Sequence, residues 1–267
     1  MFTRHFAHWP PGQPKTLELP RETVYANLAA SAARRPQRTA IDYYGGRLSY
    51  ARLKHEVDAL AGYLRQRLGV ARGERVLLYA QNCPQFVIAY YAILRADAVV
   101  VPVNPMNRTE ELRHYVEDSD ARVAIAGQDV LREIASLGLQ HVLPIVYADY
   151  LGAPTDLPVP DFVRAPGPPA WKVALAADLK PGAHLAGPDD LAVMPYTSGT
   201  TGKPKGCMHT HTSVQATTVA YLYWRGAQDE SVVLSALPMF HVTGMQAGMN
   251  APIHTAATLV VDRKSVV

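Results

Sequence analysis

The sequence predicts an α/β fold of layered mixed and parallel sheets flanked by helices, and three observations lead there. Short apolar runs rich in β-branched residues alternate with stretches whose apolar positions recur at helical spacing, the order that builds parallel sheets through crossover helices. The chain has 267 residues, 48% of them hydrophobic, which is enough for a sizeable core. A run of glycine, serine, threonine and lysine, Tyr196-Thr197-Ser198-Gly199-Thr200-Thr201-Gly202-Lys203-Pro204-Lys205-Gly206, follows directly on the apolar Leu191-Ala192-Val193-Met194. A phosphate-holding loop follows a buried strand in this way.

In chain order, Glu22 to Arg34 predicts a helix stopped by Pro36. Thr39 to Tyr44 and Arg47 to Ser49, joined through Gly45-Gly46, predict a β-hairpin. Ser49 is placed to cap a helix that carries Leu53, Val57, Leu60, Ala61, Leu64 and Leu68 on one face. The strand Arg75 to Tyr79, Asn82 as a cap, the helix Pro84 to Ala96 and the strand Val99 to Val103 then read as a βαβ unit. Thr109 to Asp118 predicts a helix with Glu110 and Glu111 in its first turn, where the helix dipole favours negative charge. Val123 to Ala126, Val130 to Ser136 and His141 to Val146 continue the alternation. From Gly152 to Pro169 the prolines at 154, 158, 160, 166, 168 and 169 predict a long connection. A short helix at Ala170 to Ala176 follows. Beyond the glycine-rich run the expected elements are a return strand at Cys207 to His209, a helix at Thr212 to Trp224, and strands at Ser231 to Ala236 and Leu259 to Val261.

Composition narrows the partners. The 26 basic and 23 acidic residues give a net charge of +3 without a basic run or acidic tail, which points away from nucleic acid and from a membrane surface. Cys83 and Cys207 are the only cysteines, too few for a disulfide framework. Met1 to Lys15 carries Arg4, His5, His8 and prolines where a secretory signal needs an apolar core. The longest apolar tracts, such as Ala98 to Val103, fall far below the roughly 20 residues that span a bilayer. No transmembrane segment is expected, and a cytoplasmic location is.

Taken alone, a Gly/Ser/Thr cluster is more often a surface hairpin than a ligand site. Here Lys203 and Lys205 flank a stiffening proline, which favours an anion. The spacing is not that of a P-loop: two residues separate Gly199 from Gly202, and Lys203 precedes a proline rather than Ser or Thr. The eleven-residue string instead resembles, almost letter for letter, the signature of the adenylate-forming superfamily. Tyr79-Ala80-Gln81-Asn82-Cys83-Pro84-Gln85-Phe86, Val101-Pro102-Val103-Asn104-Pro105 and Leu237-Pro238-Met239-Phe240-His241-Val242-Thr243-Gly244 look like its fatty acyl-CoA synthetase branch. Asp97 departs from that pattern, which usually has glycine there.

The resemblance implies ATP, Mg2+ and coenzyme A as cofactors and a small carboxylic acid as substrate, joined first to AMP and then to coenzyme A. It implies that Thr197, Ser198, Gly199, Thr200, Thr201, Gly202, Lys203 and Lys205 hold the ATP phosphates, with Lys203 also catalytic. It implies that His241 orients the acid, with Phe240 and Met245 lining its pocket. Met245 suits an acyl channel and helix core equally well. Aryl-CoA ligases and amino-acid adenylation domains are alternatives within the superfamily, and a non-catalytic nucleotide-binding remnant is the alternative outside it. A homodimer stays open. His209 and His211 have no third ligand at a recognisable spacing, so no metal site is expected from them.

For domains, the expectation is a first subdomain over residues 1–180, with its proline-rich connection near 152–169, and the start of a second over 181–261. The resemblance covers the front half of such an enzyme, so the later adenine, ribose and magnesium motifs and the small C-terminal domain are expected to be absent. Asp262-Arg263-Lys264-Ser265-Val266-Val267 does not look like the family. It matches a translated sequencing adapter, and a non-native tail is expected there.

Overall fold

The computed structural model describes residues 3–152, 158–197, 202–226, 228 and 230–261; the expected tail at 262–267 lies outside them. After one 3-10 turn at Arg4–His8, helix α1 (Val24–Arg34) leads into β1 (Thr39–Tyr43) and its antiparallel partner β2 (Gly46–Ser49). Ser49 caps α2 (Tyr50–Gln66), its hydroxyl accepting from the Arg52 amide at 3.2 Å, as the sequence predicts. β3 (Arg75–Tyr79), α3 (Pro84–Arg95) and β4 (Val99–Pro102) form the expected βαβ unit, with β3 and β4 parallel. α4 (Thr109–Ser119), β5 (Val123–Gly127), the single turn α5 (Leu131–Ile134) and β6 (His141–Ile145) extend it. Among its described residues the proline-rich connection contains one helical turn, α6 (Asp161–Arg164), and it ends at α7 (Ala170–Ala176). Then come β7 (Leu191–Val193), β8 (Tyr196–Thr197), β9 (Lys205–Gly206), β10 (His209–Thr210), α8 (His211–Arg225) and β11 (Val232–Ser235). α9 (Val242–Met245), a π-helical turn at Gln246–Asn250, α10 (Ala251–Thr255) and β12 (Thr258–Val261) close the described chain.

The strands make a six-stranded sheet ordered β10-β7-β4-β3-β5-β6, a four-stranded sheet ordered β11-β12-β1-β2, and the small hairpin β8-β9. Alternation decides which face each residue serves. Val76 and Leu78 of β3 join a core shared with α1, α2, α3 and the four-stranded sheet, while Leu77 and Tyr79 join a second core under α4 and α5. Helix α3 is buried from Pro84 to Leu94 because apolar side chains cover it on every side. That explains why its sequence is apolar all round rather than striped. Both sheets take strands from each side of Pro181, so that position does not separate one sheet from the other.

Two local readings change. Cys83, not Asn82, caps α3, its Sγ accepting from the Phe86 amide at 3.3 Å. The expected return strand resolves into two short pieces: β9 pairs with β8, and β10 pairs antiparallel with β7. Asp97, where the resemblance leads one to expect glycine, does take the left-handed conformation with φ 59°. Its carboxylate lies within 3.1 Å of the amides of Leu185 and Ala186 and 3.2 Å from Arg65. Those contacts offset a backbone cost of about 1–2 kcal/mol.

Candidate active site

The hairpin β8-β9 is fastened to α4 from below. The Tyr196 ring stacks on Tyr115 with centroids 4.2 Å apart and planes 17° apart, and its hydroxyl donates to Asp118 at 2.6 Å. Burial, reinforced by Asp118, pushes the Tyr196 phenol above its ordinary pKa, so it remains a donor. His114 Nε2 lies 2.7 Å from the Pro204 carbonyl and holds the returning strand. Gly206 lies so close to Met194 that a Cβ would come within 3.0 Å of its Cγ, which keeps the hairpin tight against β7. Thr197, Gly202, Lys203 and Lys205 are exposed along it. Ser198, Gly199, Thr200 and Thr201 lie outside the described residues.

Facing the hairpin is the loop that leaves β11. The His241 amide donates to the Pro238 carbonyl at 3.1 Å, and a Cβ on Gly244 would meet that same carbonyl oxygen at 2.1 Å. Only glycine lets the loop fold this closely. His241 caps α9, its Nδ1 accepting from the Thr243 amide at 3.3 Å. With Nδ1 acting as acceptor, the neutral ring carries its proton on Nε2 and can donate from there.

Thr197 and Pro204 of the hairpin, Phe240 and His241 of the loop, and Asn104, Asn107 and Glu111 line one cavity of ≈ 390 Å³. It opens beyond the C-terminal end of β4, where ligands bind in open α/β sheets. The structure thus brings Thr197, Phe240 and His241 together. Lys203 and Lys205 flank Pro204 and are exposed. Met245 is only 2% exposed and belongs to the main core. It is not among the residues that line this cavity. Sequence reasoning assigned no site role to Asn104, Asn107, Glu111 or Tyr115. The available signal was their position on and after the loop that follows a parallel strand, a place where ligands collect.

The histidine pair past the hairpin is engaged elsewhere. His211 is 1% exposed and its Nδ1 accepts from the Val24 amide at 3.1 Å, which fixes the start of α1. Burial lowers its pKa to about 4. His209 Nδ1 lies 3.4 Å from the Ser213 hydroxyl. Among the described residues no group of three His, Cys, Asp or Glu side chains could hold a metal ion, and no helix is long and apolar enough to cross a membrane.

Residues 28–266 match the family model described as AMP-binding enzyme. A long-chain-fatty-acid–CoA ligase of Bacillus subtilis is 32% identical over 96% of this chain and 49% of its own length. A 4-hydroxybenzoate–CoA/benzoate–CoA ligase of Rhodopseudomonas palustris is 33% identical over 80% of this chain and 38% of its own. Among solved structures, a long-chain-fatty-acid-CoA ligase from Archaeoglobus fulgidus superposes with a TM-score of 0.78 at 23% identity, covering 97% of this chain and 50% of that one. The chain therefore spans about half the length of the curated relatives it matches or less.

Proposed function

The chain belongs to the AMP-binding enzyme family, and from that premise we propose that it forms the first half of a fatty acyl-CoA synthetase. The observation that carries this reading is the single cavity in which Thr197 of the glycine-rich hairpin faces Phe240 and His241. A phosphate-type loop and a histidine donor on opposite walls suit a reaction between two anions that must be held together. The acid's carboxylate oxygen attacks the inner phosphorus of ATP, the bond to the outer two phosphates breaks, and pyrophosphate leaves. The thiol of coenzyme A then attacks the acyl carbonyl, and AMP departs.

On this reading Lys203 and Lys205, with the backbone and hydroxyls from Thr197 to Gly202, hold and neutralise the leaving pyrophosphate. Magnesium bound together with ATP would supply further neutralisation of the phosphate charge. His241 offers its Nε2 proton to the carboxylate, and Phe240 packs against the acyl group. The protein works in the cytoplasm. A second reading, an aryl acid as substrate, is favoured by the 33% identity to the benzoate ligase.

The test is pyrophosphate release by the full-length protein with ATP and a panel of alkyl and aryl acids, followed by detection of acyl-CoA. Release that depends on the acid, largest for alkyl chains, is expected. A nucleotide-binding protein without ligase activity would show ATP binding with no acid-dependent release, and that result overturns the proposal.

A further inference from the structure

We propose that Asn82 is a positioning residue for the acid-binding wall of the cavity, acting through the backbone that carries Phe240 and His241; the functional part of this inference rests on the ligase reading above. Asn82 lies between the end of β3 and the start of α3, and it is 8% exposed. Its Nδ2 donates to the carbonyls of Ser235 at 3.2 Å and Leu237 at 2.9 Å. Its Oδ1 accepts from the Met239 amide at 2.8 Å. Two carbonyls on one side and an amide on the other determine which way round the carboxamide sits.

The side chain thereby ties the β3 end of the six-stranded sheet to the outgoing end of β11 in the four-stranded sheet. The residues directly after the last of these contacts are Phe240 and His241, both of which line the cavity. Helix α3 does not need this side chain for its cap, because Cys83 supplies it. Removing the amide would take the acceptor from the Met239 N–H and a donor from the Ser235 and Leu237 carbonyls, in a buried place where Met239 is 0% and Ser235 1% exposed. The loop must then move to find other partners. A loop shift of the order of 1 Å is enough to spoil the orientation of a reacting group. Aspartate is the informative near-isostere. It keeps the acceptor for Met239 but turns an oxygen toward two carbonyl oxygens.

Two measurements test the inference separately from the ligase reading. In the full-length protein with selectively labelled histidine, the imidazole Cε1 resonance of His241, assigned with His241→Ala, is followed by NMR in Asn82→Ala and Asn82→Asp. It should shift or broaden in both, and stay put in a core control of similar melting loss such as Ile125→Val. An unmoved His241 signal in folded Asn82 variants overturns the proposal. In the full-length protein, Asn82→Ala should raise KM for the acid about tenfold while KM for ATP changes less than about twofold. The double variant with His241→Ala should lose clearly less than the product of the two single losses. Equal losses toward acid and ATP, or losses that multiply with His241→Ala, also overturn it. If the parent protein shows no acid-dependent turnover, the ligase reading fails while the NMR result still decides the placement of His241. Should Asn82→Ala not fold, Asn82→Asp is read by the same criteria.

Discussion

At the scale of single residues, His211 makes the fold sensitive to acid. Burial lowers its pKa from 6.5 to about 4, so between those values the unfolded chain binds a proton that the folded chain refuses. Stability contributed by the neutral ring is therefore full above pH 6.5 and lost progressively as pH falls to about 4. The loss approaches about 3 kcal/mol at about 1.4 kcal/mol per unit. His211→Asn places Oδ1 where Nδ1 accepts from Val24 and removes the titration. Urea melts at pH 7 and pH 5 should show a smaller drop in stability for the variant than for the parent, and an equal drop would contradict the account. Asp97 offers a second check. Asp97→Gly relieves the left-handed backbone but abandons the amides of Leu185 and Ala186. Asp97→Ala loses both advantages, so its melting temperature should be the lowest of the three.

At the scale of elements, the parts written as local pattern were the parts the sequence made legible. The α2 stripe with its Ser49 cap and the βαβ unit at Arg75 to Pro102 follow from periodicity and capping alone. The glycine-rich run could be located by composition, and the His241 motif by its resemblance to the family. That Thr197 and His241 share a cavity could not, because their meeting depends on how two sheets stack. The π-helical turn at Gln246–Asn250 was equally hidden. It is stabilised by buried partners from distant elements, among them Tyr90 and Tyr91 hydrogen-bonded to Asn250. Met245, which could be channel or core on sequence alone, sits beside this turn. Since Met245 is buried among core residues, Met245→Trp overpacks the junction of α9 and the π turn. A loss of about 1–3 kcal/mol in stability is expected, read as a lower melting temperature. A variant with unchanged melting and altered acyl-chain preference would return Met245 to the substrate channel.

At the scale of the whole molecule, β11 is the edge of the four-stranded sheet among the described residues. Val232 is 66% and Leu234 61% exposed. An apolar edge strand invites association. The isolated 267-residue chain should self-associate in light scattering, and Val232→Lys with Leu234→Lys should suppress this; a monodisperse parent would contradict it. Because the relatives are about twice as long, this chain alone should not complete acyl-CoA synthesis, and acid- and CoA-dependent turnover by the purified 267 residues would refute that. The central claim is that the hairpin serves the phosphates and the His241 loop serves the acid. The most direct measurement compares Lys203→Met and His241→Ala in the full-length protein by pyrophosphate release over a panel of acids, after each variant shows an unchanged melting transition. Lys203→Met should slow every acid by roughly ten- to a hundredfold, the worth of one charged contact of about 1.5–3 kcal/mol, while His241→Ala should change the ranking among acids. A Lys203 variant that alters selectivity at full rate, or a His241 variant that slows all acids uniformly, would contradict the account.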